Sequence, residues 1–186
     1  MKRALLLMLA MTSSAHALML SGSIEDDLPG NARVGAWLVS NAGLPLSEVA
    51  SAAVQNGAFR LALPEDAPSG RARWSLTGDS VTWPGVAGNV TATSGVETGE
   101  LRLFVYADAN SSGRREENER LLEASVTAGK ASVAFVYVNR ESAVSGPRGL
   151  NVTLPAGWSA LVVELGRTLK TSVLSDAATI RLNVVR

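Results

Sequence analysis

Residues 108–119 carry oxygen-bearing side chains at a spacing that suits a hard metal cation. Counted from the first residue of this segment, the side chains at positions 1, 3, 5, 9 and 12 are Asp108, Asn110, Ser112, Glu116 and Glu119. Gly113 stands at position 6, where a calcium loop turns sharply, and position 7, Arg114, offers its backbone carbonyl. Ca²⁺ takes about six to eight oxygen ligands, and a glutamate at position 12 can supply two of them. The spacing therefore predicts one Ca²⁺ ion bound by these six residues.

The same segment also suits a polar Asx–Gly turn of a hairpin, which requires no ion. Ser112 is a weaker ligand than aspartate or asparagine. Arg114 and Arg115 place two positive charges beside three carboxylates. From the residues alone, a calcium site and a solvated turn both remain open.

Most of the chain alternates apolar and polar residues, which is typical of strands with one face on a core. Leu101–Tyr106 leads into the loop in this way, and Ile180–Val184 shows the same pattern near the C-terminus. About ten to twelve short strands, separated by turns rich in Gly, Pro and Asn, predict an all-β fold. We expect an antiparallel β-sandwich, as one unit or as two small packed subdomains. Helix signals are few, and the two candidates are Leu46–Val54 and Glu116–Ala124.

Aromatic and aliphatic residues inside these strands are the candidates for the core. The residues predicted to be buried are Trp37, Phe59, Leu61, Trp74, Leu76 and Phe135. Trp83 and Trp158 lie instead beside turns containing proline and glycine. If exposed there, these two indoles could stack on a sugar or contact a protein.

The first seventeen residues have the organisation of a secretory signal. Lys2 and Arg3 form a basic start, Ala4–Met11 is apolar, and residues 15–17 read Ala-His-Ala, a cleavage sequence. The apolar segment is too short to cross a bilayer, and no later stretch reaches about 18 apolar residues. We therefore expect an exported protein that does not span a membrane and is periplasmic, at the cell surface or secreted.

Composition excludes several kinds of chemistry for the processed chain. His16 is the single histidine of the sequence and lies in the signal, and there is no cysteine. Ser–His–Asp and Cys–His catalysis, zinc bound by His or Cys, and disulfides are therefore excluded, and any metal must be bound by oxygen. Loss of Lys2 and Arg3 leaves two more acidic than basic residues, which gives no basic surface for nucleic acid.

The 108–119 segment resembles the loops of dockerins and EF-hands, and more closely the B-type repeats of bacterial surface adhesins. The match consists of the Asp-x-Asn-x-Ser-Gly opening at 108–113, the final Glu119 and the preceding strand-like Leu101–Tyr106. It covers roughly twenty residues. The resemblance implies that this loop binds Ca²⁺.

The first half of the chain resembles a carboxypeptidase-regulatory, or transthyretin-like, β-sandwich module. The matching segments are Ser21–Ile24, Val34–Val39 and Val54–Pro64, in which an Asn-Gly turn leads a strand with Phe59. This resemblance implies a non-catalytic module that rigidifies or presents something. It divides the chain into a sandwich region at 18–98 and a region with the calcium-type loop at 99–186.

The sequence thus predicts an exported, non-enzymatic β-sandwich stabilised by Ca²⁺, with a structural or binding role and a protein or glycan partner at the cell envelope. One alternative is a carbohydrate- or protein-binding module that uses an exposed Trp83 or Trp158. Another is an enzyme that uses paired carboxylates, for which the candidates are 25–27 and 65–66. The oligomeric state is not specified by the sequence.

Overall fold

The computed structural model describes residues 18–26, 28–174 and 179–185, and this part of the chain contains fourteen strands and no α-helix. The strands are β1 (Met19–Ile24), β2 (Ala32–Val39), β3 (Pro45–Ala53), β4 (Ala58–Ala62), β5 (Trp74–Ser75), β6 (Thr91–Ala92), β7 (Glu97–Ala107), β8 (Leu122–Ala128), β9 (Ala131–Val138), β10 (Ser142–Ser145), β11 (Asn151–Leu154), β12 (Gly157–Leu165), β13 (Leu169–Val173) and β14 (Thr179–Val184). Three short 3-10 turns cover Gly70–Ala72, Gly78–Ser80 and Pro147–Gly149. The predicted signal, residues 1–17, lies outside the described residues. Within the described ranges, no helix is long and apolar enough to cross a membrane.

Eleven strands belong to one sheet, and β11, β10 and β6 form a second one. The large sheet has the order β13-β12-β9-β7-β8-β14-β1-β4, and β2 and β5 pair with β7 while β3 pairs with β2. Every described strand pairing is antiparallel except that of β1 with β14, which is parallel. The predicted all-β architecture is confirmed. The pairs β1–β14 and β2–β7 join the regions 18–98 and 99–186 within one sheet.

The first core lies between strands of the large sheet. It is built from one face of β1, β4, β8 and β14 and one face of β2, β7, β9 and β12. Alternate residues of a strand share a face, so Leu101, Leu103 and Val105 of β7 enter this core together.

The second core is placed by β9 and β12, which are buried on both faces. Phe135 and Ala160 face the first core, whereas Val136 and Leu161 face the second. The second core is closed by the small β6-β10-β11 sheet and by Trp83. A strand covered on both sides needs apolar residues at successive positions, which explains why these two strands lack strict alternation.

Both predicted helices are wrong. Residues 46–53 lie in β3, which pairs with β2 through two register shifts, and Val54 follows the end of this strand. Glu116–Ala124 contains a turn and the start of β8 instead. Ala, Leu and Glu favour helices by only a few tenths of a kcal/mol each, so pairing with a neighbouring strand decides the outcome.

Four of the predicted core residues, Phe59, Leu61, Leu76 and Phe135, are buried. Trp37 and Trp74, predicted to be buried as well, are only half-buried. Trp37 lies against Phe104, edge to face, with the ring centroids 6.2 Å apart. Neither indole belongs to either of the two cores.

Candidate functional site

The predicted calcium-type loop connects β7 to β8 in the structure. Asp108 follows the last residue of β7, and the two strands pair at Phe104–Glu123 and Val105–Leu122. Gly113, at the sixth position, has a φ of +81°, and Ser111 also has a left-handed φ, of +59°. The glycine therefore provides the sharp turn that the spacing predicted. A connection of this length is longer than most hairpin loops, which commonly signals a specific role.

Asp108, at the first position, is 4% exposed and organises the first half of the loop. Its Oδ1 accepts the backbone N–H of Ser112 at 2.9 Å, and its Oδ2 accepts that of Gly113 at 2.9 Å. Its own backbone N–H donates to the carbonyl of Asn31 at 3.0 Å, and its carbonyl accepts the Asn31 side-chain amide at 2.9 Å. These bonds satisfy polar backbone groups that have no strand partner in this irregular segment.

Glu119, at the last position, is 6% exposed and closes the loop. Its Oε1 accepts the backbone N–H of Ala109 at 2.8 Å, and its Oε2 accepts that of Glu116 at 2.9 Å. The Arg115 guanidinium donates from Nε to the Glu119 carbonyl at 2.9 Å. One carboxylate thus ties the beginning of the loop to its second half.

The other four predicted ligands are exposed: Asn110, Ser112, Arg114 and Glu116. The Asn110 side-chain amide donates to Glu116 Oε1 at 2.9 Å. The Ser112 hydroxyl donates to the Arg114 carbonyl at 2.9 Å, and the Ser112 N–H also donates to Asn110 Oδ1 at 3.0 Å. The structure therefore brings all six predicted residues into one hydrogen-bonded cluster, with two buried carboxylates and four exposed members.

Glu48 on β3 fastens the loop to the sheet. Its Oε2 accepts the backbone N–H of Arg115 at 3.1 Å, and its Oε1 accepts the Tyr106 hydroxyl at 2.9 Å. A Cβ atom at Gly35 would lie 2.5 Å from Glu48 Oε1. The glycine on β2 therefore provides the space in which this carboxylate sits.

Ser51 and Arg33 form a second attachment. The Ser51 hydroxyl donates to the Gly113 carbonyl at 2.8 Å and accepts a hydrogen bond from Arg33 Nη2 at 2.9 Å. Arg33 Nη1 lies 3.7 Å from Asp108 Oδ2, a pair whose side chains are largely shielded from solvent. Arg33 thus places a positive charge beside the most buried carboxylate of the loop.

Tyr106 lies beneath the loop and is 1% exposed. Burial, reinforced by the hydrogen bond to Glu48, raises the pKa of Tyr106 to about 12. A phenolate at this position would lose hydration and face the Glu48 carboxylate. The hydroxyl therefore remains a donor to Glu48 throughout the physiological pH range.

The donor set fits a hard cation by its chemistry, because all six predicted ligands offer oxygen. Among residues 18–26, 28–174 and 179–185, however, no group of three or more Asp, Glu or His side chains lies close enough together to hold a metal ion by itself. In this conformation Asp108 and Glu119 hold backbone N–H groups, and Glu116 is turned toward Asn110. Each carboxylate oxygen that accepts one N–H retains a further lone pair for a cation.

Trp83 and Trp158 were the candidates for surface binding if their rings were exposed. Trp83 is 3% exposed and belongs to the second core, so its ring does not meet that condition. A position beside a Pro-Gly turn did not reveal that β9 and β12 would bury this ring. Trp158 is half-buried, lies 5.5 Å from the Tyr137 ring and donates its indole N–H to the Asp66 carbonyl at 3.0 Å.

The carboxylates offered for catalysis serve structural contacts or lie at the surface. Glu25 forms an ion pair with Arg181 at 2.8 Å, and Asp26 accepts the Val184 N–H at 2.9 Å. Glu65 and Asp66 are exposed. Asp27, the third residue of the first candidate group, lies outside the described residues.

Sequence reasoning missed the residues that attach the loop to the sheet: Arg33, Glu48, Ser51 and Tyr106. Glu48 fell in a segment predicted as a helix, where an exposed glutamate needs no explanation. Its one available signal is that it is the only charged residue of β3. A single charge in an otherwise uncharged strand suggests a specific partner.

Comparison with known proteins returns no match to any family model, curated protein or solved structure.

Proposed function

We propose that this protein is a non-enzymatic β-sandwich module with a structural or binding role at the periplasm or cell surface, stabilised by one Ca²⁺ in loop 108–119. The observation that supports this most is the attachment of the loop to the sheet by Glu48, Ser51 and Arg33. A cation held in a loop so attached would be linked to folding of the sheet. Its contribution would be to stability, as with other ions that bind only the folded form.

The residues that would hold the ion are the six of the predicted set. Asp108 and Glu119 are already positioned by the backbone N–H groups they accept. Asn110, Ser112 and Glu116 are exposed, so their side chains can rotate toward a cation at small cost. The positive charge of the ion would offset the mutual repulsion of three carboxylates on one loop, which Arg33, Arg114 and Arg115 offset only in part.

The proposed location rests on the secretory pattern of residues 1–17. The role of a structural or binding module is supported by the β-sandwich and by the local resemblance of the loop to surface-adhesin repeats. A protein or glycan of the cell envelope is the class of partner that such a location would provide.

The test is calorimetric titration and thermal unfolding of the protein after treatment with a chelator. Ca²⁺ at about 100 times its dissociation constant should add roughly 2.7 kcal/mol to the free energy of unfolding. Glu119→Gln should abolish most of this gain, because it removes the charge and one of the two acceptor oxygens. Glu117→Gln is the matched control, since Glu117 lies in the same loop, is exposed and is outside the ligand positions.

Two results would contradict the proposal. One is the absence of both heat and a shift in melting temperature at millimolar Ca²⁺. The other is an equal gain in the Glu119→Gln and Glu117→Gln variants, which would place the ion elsewhere. Either result would identify the loop as a turn closed by its own hydrogen bonds and by Arg33.

A further inference from the structure

The strands β7, β8 and β9 enclose an opening in the large sheet. β7 pairs with β9 only through Thr98–Leu101 and with β8 only at Phe104–Val105. β8 and β9 pair only next to their connecting turn, through Thr127–Ala128. Between these contacts, and within the described residues, three segments have no strand partner on the sides that face one another: 102–103, 124–126 and 133–134. The strands therefore diverge and leave a cleft, which we call the β7–β9 cleft.

The β7–β9 cleft has a volume of about 260 Å³, with polar and charged residues at its mouth and apolar residues at its floor. The apolar floor reaches the first core and consists of Leu101, Leu103, Ala124, Val126, Val133 and Phe135. The mouth contains Glu100, Arg102, Glu123, Ser125 and Ser132, and Trp83 and Pro84 form one wall. An apolar cavity of about 150 Å³ is enough to hold benzene, so this cleft has room for a ring with a short side chain.

The mouth of the β7–β9 cleft contains two carboxylates, Glu100 and Glu123, and one guanidinium, that of Arg102. Arg102 Nη1 forms an ion pair with Glu123 Oε1 at 2.7 Å, which leaves Glu100 as the carboxylate without an ion pair at the mouth. Glu100 is half-buried, and burial raises the pKa of its carboxyl. The charge of Arg102 and a hydrogen bond with the Trp83 side chain act in the opposite direction, but their effect is smaller. A carboxylate that has lost hydration in this way is stabilised by an added positive charge.

We propose that the β7–β9 cleft binds a small amphipathic cation, with an aromatic or aliphatic body on the apolar floor and an ammonium group against Glu100. The floor offers several buried hydrocarbon side chains to the body of the ligand. The unpaired edges of β7, β8 and β9 offer further hydrogen bonds to a polar head. The β7–β9 cleft thus combines an apolar floor with polar groups at its mouth, and small-molecule sites use such polar groups to orient a ligand on apolar side chains.

An anion of the same size is disfavoured. The guanidinium at the mouth, that of Arg102, is already paired with Glu123, and Glu100 would repel a ligand carboxylate. Selectivity for cations over anions is therefore the property that separates this proposal from nonspecific filling of an apolar space. The β7–β9 cleft shares none of its lining residues with loop 108–119, so this inference does not depend on calcium binding.

The test uses three probes of similar size: 2-phenylethylamine, 2-phenylethanol and 3-phenylpropionate. Each is titrated into the protein near neutral pH, and binding is followed by backbone amide shifts of β7, β8 and β9. The amine should bind about tenfold more tightly than the alcohol. The acid should bind most weakly, and the shifts should be confined to residues around the β7–β9 cleft.

Two variants and a control locate the site. Glu100→Gln should remove the preference for the amine over the alcohol, because it keeps the shape of the side chain and removes its charge. Ser125→Trp should weaken both probes, since Ser125 is an exposed residue at the mouth where a large ring would cover the entrance. Glu141→Gln, an exposed substitution outside the β7–β9 cleft, should leave every affinity unchanged.

The proposal is overturned if no probe shifts the cleft residues at millimolar concentration. It is overturned as well if amine and alcohol bind wild type equally, or if Glu100→Gln keeps the preference for the amine. Since Glu100→Gln is a conservative change at the mouth, its folding is verified by comparing its melting temperature with that of Glu141→Gln.

Discussion

Two neighbouring regions, loop 108–119 and the β7–β9 cleft, are built on the same strand pair, β7 and β8. In the loop, the strands end in a polar segment whose buried carboxylates accept backbone N–H groups. At the cleft, β7, β8 and β9 diverge from one another. The backbone edges that face the cleft have no strand partner within the described residues. The loop satisfies backbone N–H groups with its own carboxylates, whereas the β7–β9 cleft leaves backbone edges available to a ligand.

This difference follows from side-chain chemistry. Asp108 and Glu119 each bring two acceptor oxygens to backbone N–H groups that have no strand partner in the loop. Leu103, Val126 and Phe135 offer only apolar surface, so they can stabilise the core beneath the cleft but cannot pair with its backbone edges. A loop closed by its own side chains should be rigid, whereas an open cleft keeps capacity for a ligand.

The largest expected effect lies at the floor of the cleft. Phe135 is 2% exposed and packs in the first core, so Phe135→Ala should lower the free energy of unfolding by about 3–5 kcal/mol. Urea unfolding of the variant and wild type measures this loss. A loss below about 1 kcal/mol would show that the floor of the cleft does not support the core.

The loop should respond next. Asp108→Ala removes the acceptors of the Ser112 and Gly113 N–H groups and leaves Arg33 without its carboxylate, which should cost about 2–4 kcal/mol. Glu117→Ala, at an exposed position of the same loop, should change stability by less than about 0.5 kcal/mol. Urea unfolding in the presence of a chelator separates this effect from that of an ion. Equal stabilities of the two variants would mean that the loop is not fastened by Asp108.

A smaller effect is expected at alkaline pH beneath the loop. Since the pKa of Tyr106 is raised from 10.0 to about 12, the folded protein holds this proton more tightly than the unfolded chain. The associated stability is complete below pH 10 and should be lost as the pH rises from 10 to about 12, by roughly 2 kcal/mol.

The measurement is the free energy of unfolding at pH 9 and pH 11 for wild type, Tyr106→Phe and Tyr137→Phe. The alkaline loss should be smaller in Tyr106→Phe and unchanged in Tyr137→Phe. If Tyr106→Phe loses as much stability as wild type, the alkaline transition belongs to other groups and the contact with Glu48 does not contribute to it.

The sequence predicted the strands correctly where the alternation of apolar and polar residues matches the burial of those residues in the structure. Alternation in Leu101–Tyr106 and Ile180–Val184 predicted β7 and β14. In β14 the buried residues share one face, whereas β7 also buries Phe104 and Tyr106 on its opposite face. Prediction failed at β3, whose Leu, Glu and Ala residues favour a helix in isolation, and its strand form depends on pairing with β2. The burial of Trp83 also escaped prediction, because the strands that cover it are distant in the chain.

What the sequence determined by itself is local: the all-β class, the oxygen-donor spacing of residues 108–119 and the sharp turn at Gly113. These depend on side-chain period and on the backbone freedom of single residues, which the order of residues already contains. Only the tertiary structure decided that Glu48 and Ser51 attach the loop, that Tyr106 lies beneath it, and that β7, β8 and β9 diverge into a cleft. Those features arise from contacts between distant strands, and their register is set by how the whole sheet buries its apolar faces.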